Sequence, residues 1–177
     1  MEPIKLDADG KLVLPQPDEI TQREKDDAMG GYLMMFAAWA VGLPIPFANL
    51  IAAVIYYLIN KKESRFVSFH AYQSMITQVI ISLLNAGLIF WTIRNLIPLI
   101  EKDINHFTNQ YYIVYLILVA VWNILYTVYS LIACAKAYKG KFFYMLLFGR
   151  LAFAKFYGKN AQDRQNKVET NAPPAGF

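Results

Sequence analysis

Polar side chains recur at helical intervals within two apolar stretches of this 177-residue chain. At about 100° per residue, the polar residues of the stretch 66–97 share one helix face: His70, Ser74, Thr77, Gln78, Asn85, Thr92 and Asn95. A second stripe occupies the stretch 111–135: Asn123, Thr127, Ser130 and Cys134. Hydrocarbon offers amides and hydroxyls no hydrogen-bond partner, so the two stripes are predicted to face each other.

Three interpretations of these stripes are open. They could hold helices together by hydrogen bonds, or line a hydrophilic groove that admits a polypeptide segment, a lipid headgroup or a solute, or form an active site. Asn49, beside the prolines Pro44 and Pro46, would line the same groove or cap the carbonyls of the turn. The predicted groove residues are Asn49, His70, Ser74, Thr77, Gln78, Asn85, Asn123, Thr127 and Ser130.

Neither catalysis nor metal binding is predicted from these residues. His70 follows a basic cluster and could titrate near neutrality, but an anchoring or packing role is the simpler interpretation. No second histidine, cysteine or acid lies at metal-ligand spacing beside His70 or His106. No acid lies in the membrane part of any predicted span, and no phosphate-binding glycine loop occurs in the sequence. We therefore expect a non-enzymatic protein with no catalytic residue, metal or cofactor.

Charge is segregated along the chain. Residues 1–28 carry eight acids and four bases, whereas residues 136–177 carry two acids and eight bases. Lysine and arginine beside apolar helices are typical of a cytoplasmic flank that faces anionic lipid. We therefore predict contact with anionic headgroups and no binding of nucleic acid. The predicted basic surface consists of Lys61, Lys62, Arg65, Lys136, Lys139 and Lys141.

The elements that must position these residues are helices. Apolar residues make up 56% of the chain and lie in long blocks, which predicts an all-α integral membrane protein. The predicted architecture is a four-helix bundle with a short, proline-turned N-terminal helical hairpin and a C-terminal interfacial helix. A capping box at Thr21 and Glu24 starts the first helix. The predicted helices are about 22–43, 46–60, 66–97 and 111–135, with the interfacial helix at 141–157.

The alternative to the hairpin is a single crossing by residues 29–60. One helix of that length would measure about 48 Å, against about 30 Å for a hydrocarbon core, so the hairpin is favoured. The membrane domain is predicted at 21–157, between a mobile acidic tail at 1–20 and a disordered tail at 158–177. The N-terminal residues do not resemble a signal peptide, and the single cysteine cannot form an intrachain disulfide. Two spans separate the two basic clusters, so we expect a multi-pass inner-membrane protein with both termini cytoplasmic.

The stretch 44–78 also carries a resemblance to a known family. It contains Pro44-Ile-Pro-Phe-Ala-Asn49, then Lys61-Lys62-Glu63-Ser64-Arg65-Phe66-Val67, and then Phe69-His70-Ala71-x-Gln73-Ser74. This order resembles the bacterial Tic-twenty-like membrane proteins, relatives of a subunit of the chloroplast inner-envelope import translocon. The resemblance implies a small four-helix membrane protein with a role in a protein-conducting complex. It implies surface and groove roles for Lys61–Arg65 and for the stripe from His70 to Gln78.

The function expected from the sequence is that of a non-enzymatic inner-membrane subunit or accessory of a protein-translocation or other membrane complex. It would act through helix packing and a polar intramembrane groove. Its expected partners are membrane lipids and other membrane subunits or further copies of itself. The alternative is a small transporter or channel for a solute or lipid.

Overall fold

The structure, a computed structural model, describes residues 4–9, 12–37, 47–100, 110–146 and 148–158, with residues 98–100 described by their backbone alone. The described chain is mostly helical. Its helices are α1 (Gln22–Leu33), α2 (Ala48–Asn60), α3 (Arg65–Ile100), α4 (Gln110–Tyr138) and α5 (Phe148–Phe156). Two short strands, β1 (Lys5–Leu6) and β2 (Leu12–Val13), pair antiparallel with Leu6 opposite Leu12.

The start of α1 follows the predicted capping box. The Thr21 hydroxyl accepts a hydrogen bond from the Glu24 amide, and the Glu24 carboxylate accepts one from the Thr21 amide at 2.9 Å. These bonds satisfy two of the free amides of the first turn, and the prediction is confirmed. Regular α-helix ends at Leu33, and a 3₁₀ turn follows at Met34–Phe36. The predicted continuation to residue 43 and the proline turn at 44–46 lie outside the described residues from 38 onward.

The long helices α3 and α4 are the candidate membrane spans. Among the described residues, Arg65–Ile97 and Gln110–Tyr138 are the helices long and apolar enough to cross a membrane. Only 22% of each apolar window is buried inside the protein, so most of their apolar surface faces outward. At 13 residues, α2 measures about 20 Å, which is short of a hydrocarbon core. The mostly helical class is confirmed, whereas the predicted four-helix membrane bundle is not.

The predicted interfacial helix at 141–157 differs from the structure. The backbone from Lys141 to Met145 is not helical, and α5 is confined to Phe148–Phe156. Gly140 ends α4 with a positive φ of 68°, and the Lys141 amide bonds back to the carbonyl of Lys136 at 2.9 Å, a helix-ending geometry that favours glycine. The following backbone is then fixed by side-chain contacts with α3, so it cannot close helical hydrogen bonds.

The N-terminal segment predicted as a mobile tail is folded where it is described. Besides the β1–β2 pair, an ion pair of 2.9 Å joins Lys5 to Glu19, and Ile20 is buried in the core. The mobility of residues 1–20 stays a prediction.

The core lies at one end of the antiparallel pair of α3 and α4. We call this end the covered end. It consists of residues 65–78 and 126–138 together with α1, residues 142–146 and α5. Its α3 residues are almost all buried, and α1, the 142–146 segment and α5 pack over them. We call the rest of the pair, residues 83–97 and 110–125, the open half. Its apolar side chains are largely exposed, Phe90 by 71% and Ile124 by 64%.

Helix α5 is fastened to the covered end by two cations. The Arg65 guanidinium donates to the Phe156 carbonyl at 2.9 Å. The Lys155 ammonium lies 3.6 Å from the centre of the Tyr72 ring, within the range of a cation–π interaction. Together they tie the last described helix to the beginning of α3.

Candidate functional site

A cavity of about 340 Å³, lined by both polar and apolar side chains, lies between the covered end and the open half. The 3₁₀ turn after α1 and helices α2, α3 and α4 all contribute to its wall. Five of the residues predicted to form a groove line it, from three different helices. The lining residues are Met35, Phe36, Asn49, Gln78, Ile81, Ser82, Asn85, Asn123, Tyr126 and Thr127.

Two asparagines bridge α3 and α4 at this cavity. The Asn85 amide nitrogen donates to Asn123 Oδ1 at 3.1 Å, and the Asn123 amide nitrogen donates to Asn85 Oδ1 at 3.0 Å. The Asn123 nitrogen also donates to the Val119 carbonyl, and the Thr127 hydroxyl to the Asn123 carbonyl. The structure therefore brings the two polar stripes together through a reciprocal amide pair, in which each side chain supplies the other's partner.

Two polar lining residues, Tyr126 and Ser82, were missed by the sequence interpretation. The Tyr126 hydroxyl donates to Gln78 Oε1, which adds a second bridge between α3 and α4. Ser82, 1% exposed, lies beside this bridge, and its hydroxyl has no hydrogen-bond partner among the described residues. Position 82 lies between Gln78 and Asn85 at helical spacing, so extending the polar face by one residue would have included it.

His70 belongs to a separate, closed cluster at the covered end. It is fully buried, and its Nδ1 lies 2.9 Å from the Tyr32 hydroxyl of α1. Gln73 donates to the same hydroxyl at 2.7 Å. The Tyr32 oxygen accepts a hydrogen bond from Gln73, so the Tyr32 hydroxyl donates its own proton to Nδ1 of His70. His70 is then a neutral imidazole that accepts at Nδ1. Burial raises the pKa of the Tyr32 phenol above its usual 10.0, so this proton is retained.

Gln73 also explains the path of the chain after α4. Its amide nitrogen donates to the Phe143 carbonyl at 3.0 Å, and its carbonyl oxygen accepts from the Met145 amide at 3.2 Å. These two bonds fix the nonhelical 142–146 segment over α3. Aromatic rings complete the enclosure of His70: Phe66, Phe69 and Phe142.

The remaining predicted groove residues serve packing in the same cluster. The Ser74 hydroxyl donates to the Gly31 carbonyl at 2.7 Å, where a Cβ on Gly31 would lie 3.2 Å from the Cα of Ala71. This close approach of α1 and α3 favours glycine at position 31. Thr77 donates to the Gln73 carbonyl; Ser130 lies apart from these bonds, buried in α4 with no hydrogen-bond partner for its hydroxyl among the described residues. The single predicted groove is thus divided between an open cavity and a closed hydrogen-bonded cluster.

The predicted basic surface lies at the covered end, because α3 begins and α4 ends there. Lys62, Lys136, Lys139 and Lys141 are exposed and Lys61 is partly exposed. Arg65 is different, since its guanidinium is half-buried and bonded to α5. The structure therefore places five of the six predicted residues where they could meet anionic headgroups.

Acidic residues at the same end have pKa values shifted in opposite directions. Hydrogen bonding from the Gln16 amide and pairing with Lys5 lower the pKa of Glu19 below its usual 4.5. Burial and the nearby Glu63 raise the pKa of Asp27 above its usual 3.8, against the lowering effect of Arg23. Glu63 is itself bonded to Arg23 at 3.1 Å. This charged face is therefore a network of ion pairs beside α1.

Among the described residues, no three histidine, cysteine or acidic side chains group closely enough to hold a metal ion.

Comparison with known proteins gives one family match. A family model described as the magnetosome magnetite crystal formation protein family (MamF/MmsF) matches residues 28–152. No curated protein and no solved structure matches the chain. The resemblance to the Tic-twenty-like proteins is therefore wrong, because the matching family covers the whole of 44–78 that carried it. A proline turn, a basic cluster and a polar helix face are general features of membrane-inserted helices, so their order does not identify a family.

Proposed function

Because the chain belongs to the magnetosome magnetite crystal formation protein family, we propose that it acts in magnetite crystal formation as a protein of the magnetosome membrane. The observation that carries this proposal is the family match over 28–152, which includes both long apolar helices. Their outward-facing apolar surfaces support residence in a bilayer. Protein translocation was implied by the rejected resemblance and is not part of the proposal.

The proposed mode of action is non-enzymatic. The polar side chains inside the helices bond one another, as the Asn85–Asn123 pair and the Gln73 network do, which suits a scaffold better than a reactive site. The lysines of the covered end would face the cytoplasm and anionic headgroups, with both termini on that side. The exposed apolar face of α4 would contact lipid, other membrane proteins or a second copy of the chain.

Deletion of the coding sequence in a magnetite-forming bacterium tests the role directly. We expect crystals of altered size or number in electron micrographs, with wild-type dimensions restored by the intact chain. Unchanged crystals in the deletion strain would refute the proposal. Extraction in gentle detergent tests the mode of action: other magnetosome membrane proteins should co-purify, and a clean monomer would exclude a role in a complex.

The cavity favours a second candidate function, a small transporter or channel for a solute or lipid. Its wall combines amides and hydroxyls from α2, α3 and α4 in the middle of the candidate spans. Under this function, purified protein in liposomes should carry a solute across the bilayer. Asn85→Leu and Asn123→Leu should abolish that flux, and an absence of flux in the wild-type protein would exclude this candidate.

A further inference from the structure

A second, apolar groove lies on the outer side of α4, between that helix and the chain segment that follows it. Its volume is about 170 Å³. Trp122, Leu125 and Tyr129 of α4 form one wall, and Met145 and Leu146 contribute to the other. Leu146 is 69% exposed, so the groove opens on the same outward-facing apolar surface that supports residence in a bilayer.

The chemistry of this groove selects an apolar occupant. Its lining is mainly aliphatic and aromatic, and two of its hydroxyls are used inside the protein, that of Thr77 on the Gln73 carbonyl and that of Tyr126 on Gln78. An apolar cavity of about 150 Å³ is enough to bind benzene, so this volume suits a hydrocarbon segment of about six carbon atoms.

The second wall of the groove is held in place by the protein itself. Gln73 bonds the carbonyl of Phe143 and the amide of Met145, which fixes this segment against α3. The Phe143 ring lies 6.4 Å from that of Tyr129, measured between ring centres, so the segment also contacts α4. The groove is therefore formed before any ligand enters it, which lowers the cost of binding.

Two lysines lie above the groove at the covered end. Lys136 is seven residues beyond Tyr129 and fourteen beyond Trp122, which places all three within about 40° on one face of α4. The Lys141 amide bonds to the Lys136 carbonyl at 2.9 Å, so the second wall begins beside Lys136. Both lysines are exposed, and neither is paired with an acid among the described residues.

The depth of the groove below these lysines matches one leaflet. Along the axis of α4, Tyr129 lies about 10 Å and Leu125 about 16 Å from Lys136. Half of a hydrocarbon core measures about 15 Å. An acyl chain whose headgroup is held at Lys136 therefore passes Tyr129 and reaches Leu125.

We propose that this groove binds one acyl chain of an anionic phospholipid, whose phosphate pairs with Lys136 and Lys141. The inference deepens the proposed function by naming a lipid site, and it rests on the residence in a bilayer that this function includes. It does not rest on a role in crystal formation. Unchanged crystals in the deletion strain would therefore refute that role and leave the lipid site standing.

Quenching of tryptophan fluorescence by brominated lipids tests the site in the full-length protein reconstituted in bilayers. Trp39→Phe and Trp91→Phe leave Trp122, in the groove, as the single reporter. The bilayers contain phosphatidylglycerol and phosphatidylcholine in varied proportions, with bromine on the acyl chains of one lipid or of the other. The quenching curves should show that phosphatidylglycerol binds beside Trp122 about fivefold or more tightly than phosphatidylcholine, as the attraction of one surface lysine predicts.

Matched lysine variants distinguish this site from general attraction by the basic surface. Lys136→Gln combined with Lys141→Gln should abolish the preference at Trp122. Lys61→Gln combined with Lys62→Gln removes the same charge elsewhere at the covered end and should preserve it. Equal quenching by the two lipids in the parent protein, or an equal loss of preference in both double variants, would overturn the lipid site alone. An absence of quenching by either lipid would overturn residence in a bilayer as well.

Discussion

The covered end and the open half are built from the same two helices, yet they obtain their hydrogen bonds and packing from different sources. At the covered end, the Gln73 side chain bonds both to the Tyr32 hydroxyl and to the backbone of the 142–146 segment. In the open half, the contacts between helices include a Thr92–Tyr112 hydrogen bond and one from Tyr115 to the carbonyl of Leu84. The covered end is packed like a soluble core, whereas the open half leaves its apolar surface outward.

This difference indicates which parts of the two helices are packed by the rest of the protein and which are left for the surroundings to contact. Lipid tails are as apolar as leucine, so no hydrophobic force drives the helices of a membrane-embedded half together. At the covered end His70 is fully buried; the chain supplies a partner for its Nδ1, the Tyr32 hydroxyl, whereas its Nε2 has no hydrogen-bond partner among the described residues. The cavity lies between the two regions, where Asn85 and Asn123 bond each other across α3 and α4.

The largest expected contrast comes from one residue type at two positions of α3. Phe69 is fully buried against rings of His70 and Phe142, whereas Phe90 is 71% exposed. We expect Phe69→Ala to lower the free energy of unfolding by about 3–5 kcal/mol, because it leaves a cavity in a packed core. Phe90→Ala, the matched control, should change it by about 0.5 kcal/mol or less, since lipid replaces the lost ring contacts.

Reversible unfolding in mixed detergent–dodecyl sulfate micelles, followed by tryptophan fluorescence, measures both variants. Similar losses for Phe69→Ala and Phe90→Ala would contradict the comparison. That result would indicate that the open half is packed against a partner as tightly as the covered end is packed against itself.

Much of the helical framework could be predicted from the sequence because the signals are local. Apolar runs at 66–97 and 111–135 anticipate α3 and α4 to within three residues at each end. The capping box at Thr21 is a four-residue pattern with one structural meaning. The meeting of the two stripes follows from their spacing on consecutive helices. These inferences needed no knowledge of distant contacts.

The cluster around His70 could not be predicted in this way because its partners are distant in sequence. Tyr32 is 38 residues away from His70, and Met145 is 72 residues from Gln73. The aromatic run at 141–157 is compatible with helix by composition, and the hydrogen bonds to Gln73 hold its first part in a nonhelical path. Tertiary contacts overrode local propensity there. The division of the predicted groove into two sites also depends on contacts between residues that are distant in sequence.

A double-mutant cycle measures the coupling between Asn85 and Asn123, which bridge α3 and α4 where the covered end meets the open half. Asn85→Leu and Asn123→Leu each leave one amide of the reciprocal pair without its partner. We expect each single change to cost about 1–2 kcal/mol of unfolding free energy, by the cost of an unpaired buried amide. The double variant should cost less than the sum of the two, because neither unpaired amide then remains.

The same micelle unfolding measures the cycle, with Thr92→Val as a control for a hydroxyl within the open half. Strict additivity would show that the two amides do not stabilise the pair of helices. Each amide would then find another hydrogen-bond partner after its own is lost, and the pair would not mark a boundary between the two regions.

The smallest expected effects come from two acids of the covered end, and their signs differ. The pKa of Glu19 is lowered from 4.5, so its contribution to stability is present above that value and is lost as pH falls through the lowered pKa. The pKa of Asp27 is raised from 3.8, so its ionised form costs stability at neutral pH and this cost disappears in acid. At pH 7, Glu19→Gln should lower the melting temperature. Asp27→Asn should raise the free energy of unfolding, within about 0.5 kcal/mol.

Melting temperatures of the wild type and both variants, measured from pH 7 down to below the pKa of each acid, test these two opposite signs. Both differences from the wild type should shrink toward zero at the acidic end, because each wild-type carboxyl is then neutral like its amide replacement. A loss of stability in Asp27→Asn at pH 7 would mean that the ion pair with Arg23 outweighs burial. The charged face beside α1 would then stabilise the covered end through its ion pairs, and the contrast with the open half would rest on charge as well as on packing.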